Sequence, residues 1–356
     1  MAYLKLYRNK LQHNYKVLSK MMTKNKKEFG IVTKLLCGNK TFIEEVINLG
    51  TNQVCDSRLS NLKAVKQIDR SVETMYIKPP AAKNVKSVVQ YADISLNTSL
   101  DTIKLLAREA RTQKKTHKVV IMIEMGDLRE GVLGHKLIDF YKKVFKLKGI
   151  KVIGLGTNLN CLHGVMPSED KLIQLALYKQ IIELQFKNKI KYISGGTTVV
   201  IPLLERKLVP KEVNHFRVGE ALYFGADLFT GKTLKGMYSN VFELCSQIIE
   251  IEEKPVVPSG ELAENPSGET FEVDEDDYGK VSYRAIIDIG LLDINPDFLI
   301  PIDESLEVIG ASSDMLIVDL KDNPKEYQVG TILQFHMSYM GALSLMNSKY
   351  IEKVVI

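Results

Sequence analysis

Apolar residues in this chain fall in short runs, and longer stretches of helical period separate them. Residues 3–26 open with a short strand and continue as a helix over Lys10–Thr23, where Leu11, Tyr15, Leu18, Met21 and Met22 recur at helical spacing. The pattern then repeats. A short apolar run ends in a polar cluster, and an amphipathic segment follows. The runs are Gly30–Val32, Gln53–Cys55, Thr74–Ile77, Ala92–Leu96, Lys118–Glu124, Val152–Gly156, Lys191–Ile193 and His215–Arg217. Helices are predicted between them over Lys40–Leu49, Leu59–Ile68, Ala82–Tyr91, Leu100–Gln113, Leu137–Lys148, Glu169–Asn188 and Val199–Leu208. Alternating strands and helices imply right-handed βαβ units and a parallel sheet. Eight such strands in about 200 residues predict a closed (β/α)8 barrel of the TIM type. An open doubly wound sheet would carry GxGxxG after its first strand, and Gly30 and Gly38 do not form that turn.

The rhythm stops near Asp227. From Thr233 onward polar and apolar residues alternate without long helical segments. Strands are predicted at Val281–Ile289, Leu306–Ile309, Asp314–Val318 and Thr331–Phe335, punctuated by Pro255, Pro258, Gly260, Pro266 and Gly268. The chain therefore divides into an α/β barrel, residues 1–232, and a C-terminal β-rich domain, residues 233–356. The acidic run Asp274–Asp277 reads as a solvated loop.

Composition narrows the class. Of 356 residues, 45% are hydrophobic and 26% charged, which excludes a disordered or disulfide-scaffold protein. A net charge of +5 is mild for this length and predicts no nucleic-acid partner. Cys37, Cys55, Cys161 and Cys245 form no CxxC pair, and the N-terminus has no signal-like apolar core. Both features point to the cytoplasm. No apolar stretch approaches the roughly 18 residues of a membrane helix, so no membrane partner is expected.

In a (β/α)8 barrel the chemistry lies at the C-terminal ends of the strands. Two clusters there carry most weight. Ser194-Gly195-Gly196-Thr197-Thr198 follows the seventh run, and Val218-Gly219-Glu220 follows the eighth. Glycines let backbone N–H groups approach an anion, and hydroxyls add donors. The loops after strands seven and eight are the usual phosphate site of this barrel. Lys34 ends the first run, at the barrel mouth. Desolvation there should lower its pKa and suit it to Schiff-base chemistry with a carbonyl cofactor. A phosphate loop and such a lysine together suggest pyridoxal phosphate. No His, Asp or Glu spacing indicates a metal site.

At this point the chain resembles the fold-type III pyridoxal-phosphate enzymes of the alanine racemase superfamily, and most of all their alanine/ornithine racemase branch. The resemblance runs through nine ordered blocks: VTKLLCGN (32–39), CDSRLSNL (55–62), SLNTSL (95–100), EMGDLREG (124–131), GLGTNLNCLHGVMP (154–167), ISGGTT (193–198), FRVGEALYFG (216–225), IGASSDMLIVDL (309–320) and HMSYMGALSLMNSKYIEK (336–353). It implies a pyridoxal-phosphate-dependent racemase of an amino acid, ornithine or another basic one. Alanine racemase, a fold-type III decarboxylase and a non-catalytic pyridoxal-phosphate protein are the alternatives.

The resemblance also implies roles. Lys34 matches the cofactor lysine. Arg217 matches the arginine facing the pyridine nitrogen. Thr198, Gly219 and Glu220 match the phosphate positions, the last two through backbone amides. Arg129 matches an arginine near the phenolic oxygen, and Asn158 stands where alanine racemases have a histidine. Asp314 matches an aspartate whose loop enters the partner subunit's site in a homodimer. Three departures stand out. Gly38 occupies the place of a phosphate-binding tyrosine, no tyrosine lies in Ser267–Val273, and the SSDH motif of the branch ends here in Met315. Racemisation by two bases needs a second group opposite Lys34. Cys161, Tyr339 and Tyr283 are the candidates. Glu130, Asp314 and the 274–277 loop are candidates for a side-chain amine on the substrate. His163 and His336 read as structural.

Overall fold

The computed structural model describes residues 2–264, 268 and 270–356, so Pro266 and Ser267 of the sequence reading lie outside it. The chain forms two compact units. One is Tyr7–Val241, and the other is Phe242–Ile356 together with the first strand, β1 (Tyr3–Leu6).

The first unit is the expected barrel. After α1 (Arg8–Lys24), eight parallel strands close on themselves: β2 (Glu28–Val32), β3 (Gln53–Asp56), β4 (Glu73–Tyr76), β5 (Ile94–Asn97), β6 (His117–Met122), β7 (Ile150–Gly156), β8 (Tyr192–Ser194) and β9 (His215–Val218). Each predicted run overlaps one of them. The strands are buried on both faces, which is why they read as short unbroken apolar runs. Between them lie α2 (Lys40–Ile47), α3 (Leu59–Ile68), α4 (Val85–Tyr91), α5 (Leu100–Thr112), α6 (Leu137–Val144), α7 (Glu169–Phe186) and α8 (Ile201–Glu205), and α9 (Glu220–Phe224) follows β9. Side-chain caps mark several starts. Asn39 Oδ1 accepts from Phe42 N at 3.0 Å, and Ser168 Oγ accepts from Lys171 N at 3.3 Å. The helix expected over Val199–Leu208 is a 3-10 turn, Thr198–Val200, followed by the short α8, whose Pro202 sits in the first turn.

The expected boundary at residue 232 moves to 241. A small hairpin, β10 (Ala226–Asp227) with β11 (Lys232–Thr233), stays in the barrel unit, and so does the chain after it. Asn14 on α1 is the reason. Its Nδ2 donates to Leu222 O at 3.0 Å and Tyr238 O at 2.8 Å, and its Oδ1 accepts from Tyr238 N at 2.8 Å. The opening strand also leaves the barrel unit.

The second unit is an eight-stranded sheet built from β1, β12 (Phe242–Pro255), β13 (Val281–Ile287), β14 (Leu299–Pro301), β15 (Glu307–Ala311), β16 (Leu316–Asp319), β17 (Ile332–Met337) and β18 (Glu352–Val355), with α10 (Tyr339–Asn347) before the last strand. Its main order is β14-β17-β12-β13-β16-β15, all antiparallel. β1 joins by pairing with β12 on one side and β18 on the other. The long β12 has no counterpart in the apolar pattern. A register shift between Ile248 and Glu250 breaks its alternation. None of the described helices is long and apolar enough to cross a membrane.

Glycine is required where β7 meets β8. A Cβ on Gly154 would lie 2.9 Å from Tyr192 Cβ and 3.0 Å from Tyr192 O. Gly154→Ala therefore overpacks the barrel wall. We expect a loss of about 1–3 kcal/mol, read by calorimetry as a fall of about 2–4 °C in Tm per kcal/mol.

Candidate active site

Thr33, the residue before Lys34, is anchored through Asp56. Thr33 Oγ1 donates to Asp56 Oδ2 at 2.8 Å, Arg58 N donates to Oδ1 at 2.8 Å, and Asn61 Nδ2 donates to both carboxylate oxygens. Burial pushes the Asp56 carboxyl above its ordinary pKa, against the pull of those donors. Lys34 then opens a 3-10 turn, Lys34–Leu36, beyond the strand. The desolvation expected for Lys34 is not found. The residue is exposed, because the turn carries it past the barrel rim.

The ends of β9 and β2 are pressed together beside it. A Cβ on Gly219 would sit 3.1 Å from Val32 Cβ and 3.3 Å from Val32 O. The next residue, Glu220, feels the lysine. Burial raises its carboxyl pKa, and the Lys34 charge opposes that rise. The loop after β8 is tied to the one after β9, since Ala221 N donates to the buried Thr198 Oγ1 at 3.0 Å. That acceptance leaves the Thr198 hydroxyl hydrogen for another acceptor. Gly196 has φ +132°, in the region that favours glycine, and its carbonyl accepts from Arg217 N at 3.0 Å. Thr197 is half-buried between them.

Arg217 lies inside the barrel mouth with 2% of its surface exposed. Its Nη1 donates to Ser194 Oγ, and its Nη2 donates to Thr157 O at 2.9 Å and Asn158 Oδ1 at 3.4 Å. All three acceptors are neutral. Burial lowers the guanidinium's pKa from its ordinary value, with Cys55 and Glu130 pulling it back, but an arginine stays charged. A buried charge without a directly paired carboxylate is costly. Beside it, Thr157 Oγ1 is buried with no hydrogen-bond partner. Such a site suits an acceptor that the chain does not itself provide.

Asn158 stands between two guanidiniums. Turned the other way, its amide oxygen accepts from Arg129 Nη2 at 2.9 Å instead, and the shorter contact favours this orientation. Arg129 pairs with Glu130 and donates from Nη1 to the sulfur of Cys161, which is exposed. Glu130 is thus already engaged by a guanidinium.

Ser194 is fully buried. Its hydroxyl meets Arg217 and His215, so it supports the arginine and does not face a phosphate. The barrel mouth brings together Lys34, Thr198, Arg217, Gly219 and Glu220 with Arg129, Asn158 and Cys161. Asp314 and Tyr339 belong to the second unit. Asp314 is exposed in the turn between β15 and β16, where Ser312 N donates to Met315 O at 2.8 Å. Tyr339 opens α10 and is half-buried. Tyr283 lies on β13 and is exposed.

Two residues escaped the sequence reading. One is Asp56, whose only signal was its place at a strand end. The other is Asp127, which organises the loop after β7. Asp127 is buried and accepts from Leu162 N at 2.9 Å, His163 N at 3.2 Å and Val165 N at 3.3 Å. Desolvation opposes ionisation, but these backbone donors outweigh it and hold the carboxyl below its ordinary pKa. His163 Nδ1 lies 2.8 Å from Asp127 O, which makes it part of the same clamp.

The alanine racemase N-terminal domain model matches residues 7–227. An ornithine racemase from Acetoanaerobium sticklandii is 36% identical over 349 residues, 98% of this chain and 98% of that protein. A lysine racemase from Thermotoga maritima is 30% identical over 356 residues, 99% of each. Among solved structures, alanine racemase from Bartonella henselae with covalently bound pyridoxal phosphate aligns with a TM-score of 0.74 at 17% identity, over 100% of this chain and 99% of that one. That last likeness is one of fold.

The Asp127 clamp generates a prediction. In Asp127→Ala, amide exchange at Leu162 and His163 should speed by about 10- to 100-fold, the worth of hydrogen bonds to a charged acceptor. The sign of the pH effect follows from the depressed pKa. The stabilisation is present above the carboxyl's unfolded value and is lost as pH falls through the lower folded one. In acid, wild type should therefore approach the variant, as read by hydrogen-exchange mass spectrometry.

Proposed function

The chain belongs to the alanine racemase family, and we infer that it is an amino-acid racemase that uses pyridoxal phosphate and acts on a basic amino acid, ornithine or lysine. One observation carries the cofactor reading. A buried guanidinium, Arg217, has only neutral acceptors around it at the mouth of the barrel, beside an unpaired Thr157 hydroxyl. The choice of a basic substrate is supported by the two relatives that span nearly the whole chain, one named for ornithine and one for lysine.

The residues present fit the cofactor. Lys34 would anchor it. Arg217 would donate to the ring nitrogen and, staying protonated itself, leave that nitrogen without a proton. Thr198, Gly196 and Thr197, with the amides of Gly219 and Glu220, would hold the phosphate. Arg129 and Asn158 would meet its phenolic side. A tyrosine could not replace Gly38, which has φ +82° and would place a Cβ 2.7 Å from Asn61 Oδ1. The neighbouring loops therefore carry the phosphate contacts. When bound, pyridoxal phosphate supplies an electron-withdrawing ring that makes the Cα proton of an attached amino acid removable.

The chain's own part is proton traffic on two faces. Lys34 Nζ takes and returns the proton on one. On the other, Cys161 is the barrel's candidate, an exposed sulfur oriented by Arg129. Tyr339 is the second unit's candidate, supplied by a partner copy in a homodimer, and Asp314 of that copy would receive the substrate's side-chain amine. Four cysteines, none in a disulfide, support a reducing cytoplasmic setting. The decarboxylase reading finds no support in Cys245, the cysteine of the second unit, which is buried in β12.

The purified protein should carry a visible absorption band that borohydride bleaches, leaving the label on Lys34 in peptide maps. Racemisation should run on ornithine or lysine faster than on alanine, and Lys34→Ala should lose about 10²–10⁴-fold or more in kcat. A protein that stays colourless with added pyridoxal phosphate would overturn the assignment.

Cys161→Ala and Tyr339→Phe identify the second base. The variant that removes it should lose interconversion yet still exchange the Cα hydrogen of one enantiomer with deuterated water, as read by mass spectrometry.

A further inference from the structure

The barrel interior holds a hydrogen-bonded chain that the proton transfers do not use. It begins where Arg217 Nη1 donates to Ser194 Oγ. Ser194 Oγ lies 2.9 Å from His215 Nδ1, and His215 Nε2 lies 2.8 Å from Gln53 Oε1. Gln53 Nε2 donates to Glu73 Oε2 at 2.9 Å, and Lys118 Nζ donates to Glu73 Oε1 at 2.8 Å. Ser194, His215 and Gln53 are buried. Gln53 and Glu73 are the first residues of β3 and β4, so the chain descends from the mouth to the opposite end of the barrel. There Glu73 and Lys118 line an open cavity of about 630 Å³ with Lys151, Lys179 and Lys191. Gly30 makes the passage possible, since a Cβ on it would lie 2.5 Å from Gln53 Oε1.

The chemistry of these groups permits one direction of donation. An ionised carboxylate only accepts, so Glu73 requires the amide nitrogen of Gln53 and turns its oxygen toward His215. That oxygen requires a proton on His215 Nε2. Burial first, then the charges of Arg217 and Lys191, push the imidazole pKa down to about 3, so the ring is neutral and Nδ1 is left as an acceptor. Nδ1 takes the Ser194 hydroxyl hydrogen. Ser194 Oγ is then free to accept only, and what it accepts is the Arg217 guanidinium.

We propose that Glu73, itself ion-paired with Lys118, sets the direction of a single ordered relay, and that Gln53, His215 and Ser194 are positioning residues that hold the Arg217 guanidinium through it. A carboxylate placed directly against Arg217 would engage its N–H groups in a bidentate pair. The neutral relay orients the charge and leaves donors for a ring nitrogen. This proposal rests on the reading of Arg217 as the residue facing the cofactor.

The test begins with 15N NMR of the full-length protein, with the His215 signal assigned by its loss in His215→Asn. Wild type should show a neutral ring, pyrrole-type at Nε2 and pyridine-type at Nδ1, across neutral pH. Glu73→Gln should add the second tautomer, weaken cofactor binding by about tenfold and shift the cofactor's absorption band. Glu73→Asp should restore most of both. If Glu73→Gln does not fold, Gln53→Met breaks the same link and leaves the Glu73–Lys118 pair intact, with the same expected shifts. A wild-type ring protonated at Nδ1, or variants whose tautomer and absorption band both match wild type, would overturn the relay. The tautomer is read without cofactor. A wild type that shows it but never binds pyridoxal phosphate would instead sink the cofactor reading and, with it, the role given to the relay.

Discussion

A positive charge buried inside a closed barrel sets the terms for what surrounds it. Arg217 is in the wall between β9 and its neighbours, opposite Gly30 on β2, and is 2% exposed. Its direct acceptors are a serine hydroxyl and a main-chain carbonyl. Each supplies partial charge and neither supplies a full one. The arrangement is tolerable only if compensation arrives from further away or from a ligand. Much of the interior follows from that requirement. Polar residues on β3, β8 and β9 replace the apolar layers usual in such barrels, and Gly30 gives up its side chain to make room for Gln53.

Other carboxylates do the opposite work, at the rim. Asp56 and Asp127 are both buried, and both accept several hydrogen bonds from nearby chain. Asp56 ties the end of β2 to the start of α3 and so fixes where Lys34 leaves the strand. Asp127 gathers the loop that carries Cys161. The lysine and the cysteine are exposed, and a buried acid holds the residues next to each: Asp56 the Thr33 hydroxyl, Asp127 the amides of Leu162 and His163. Exposed side chains at the mouth are thus placed by buried groups that do not reach solvent.

The β-rich unit obeys a different logic. Its sheet recruits the first strand of the chain, because β1 pairs with β12 and β18. Gly290 lets the turn carrying Asp314 lie on the main chain, since a Cβ there would come within 2.6 Å of Asp314 N. Leu291 N and Leu292 N then donate to Ser312 O and Ser313 O at 2.9 and 3.0 Å. A loop held by backbone bonds on both sides presents an exposed carboxylate in a defined place.

The eight barrel strands were legible in sequence because each is buried on both faces and reads as a short apolar run bounded by polar residues. The loops after β8 and β9 were legible because glycine and hydroxyl residues cluster there, and the nine ordered motifs carry the family resemblance in sequence alone. Three things were not legible. The exposure of Lys34 depends on a turn that carries it past the rim, whereas strand position alone implies a desolvated lysine at the mouth. The membership of β1 and residues 233–241 depends on pairing partners more than 200 residues distant, such as Asn14 with Tyr238. Ser194 looked like a phosphate donor until the fold set it against Arg217 and His215. Local periodicity reports which faces are buried. It carries no information about which polar groups from distant strands will meet inside, and that was decided only when β9 closed against β2.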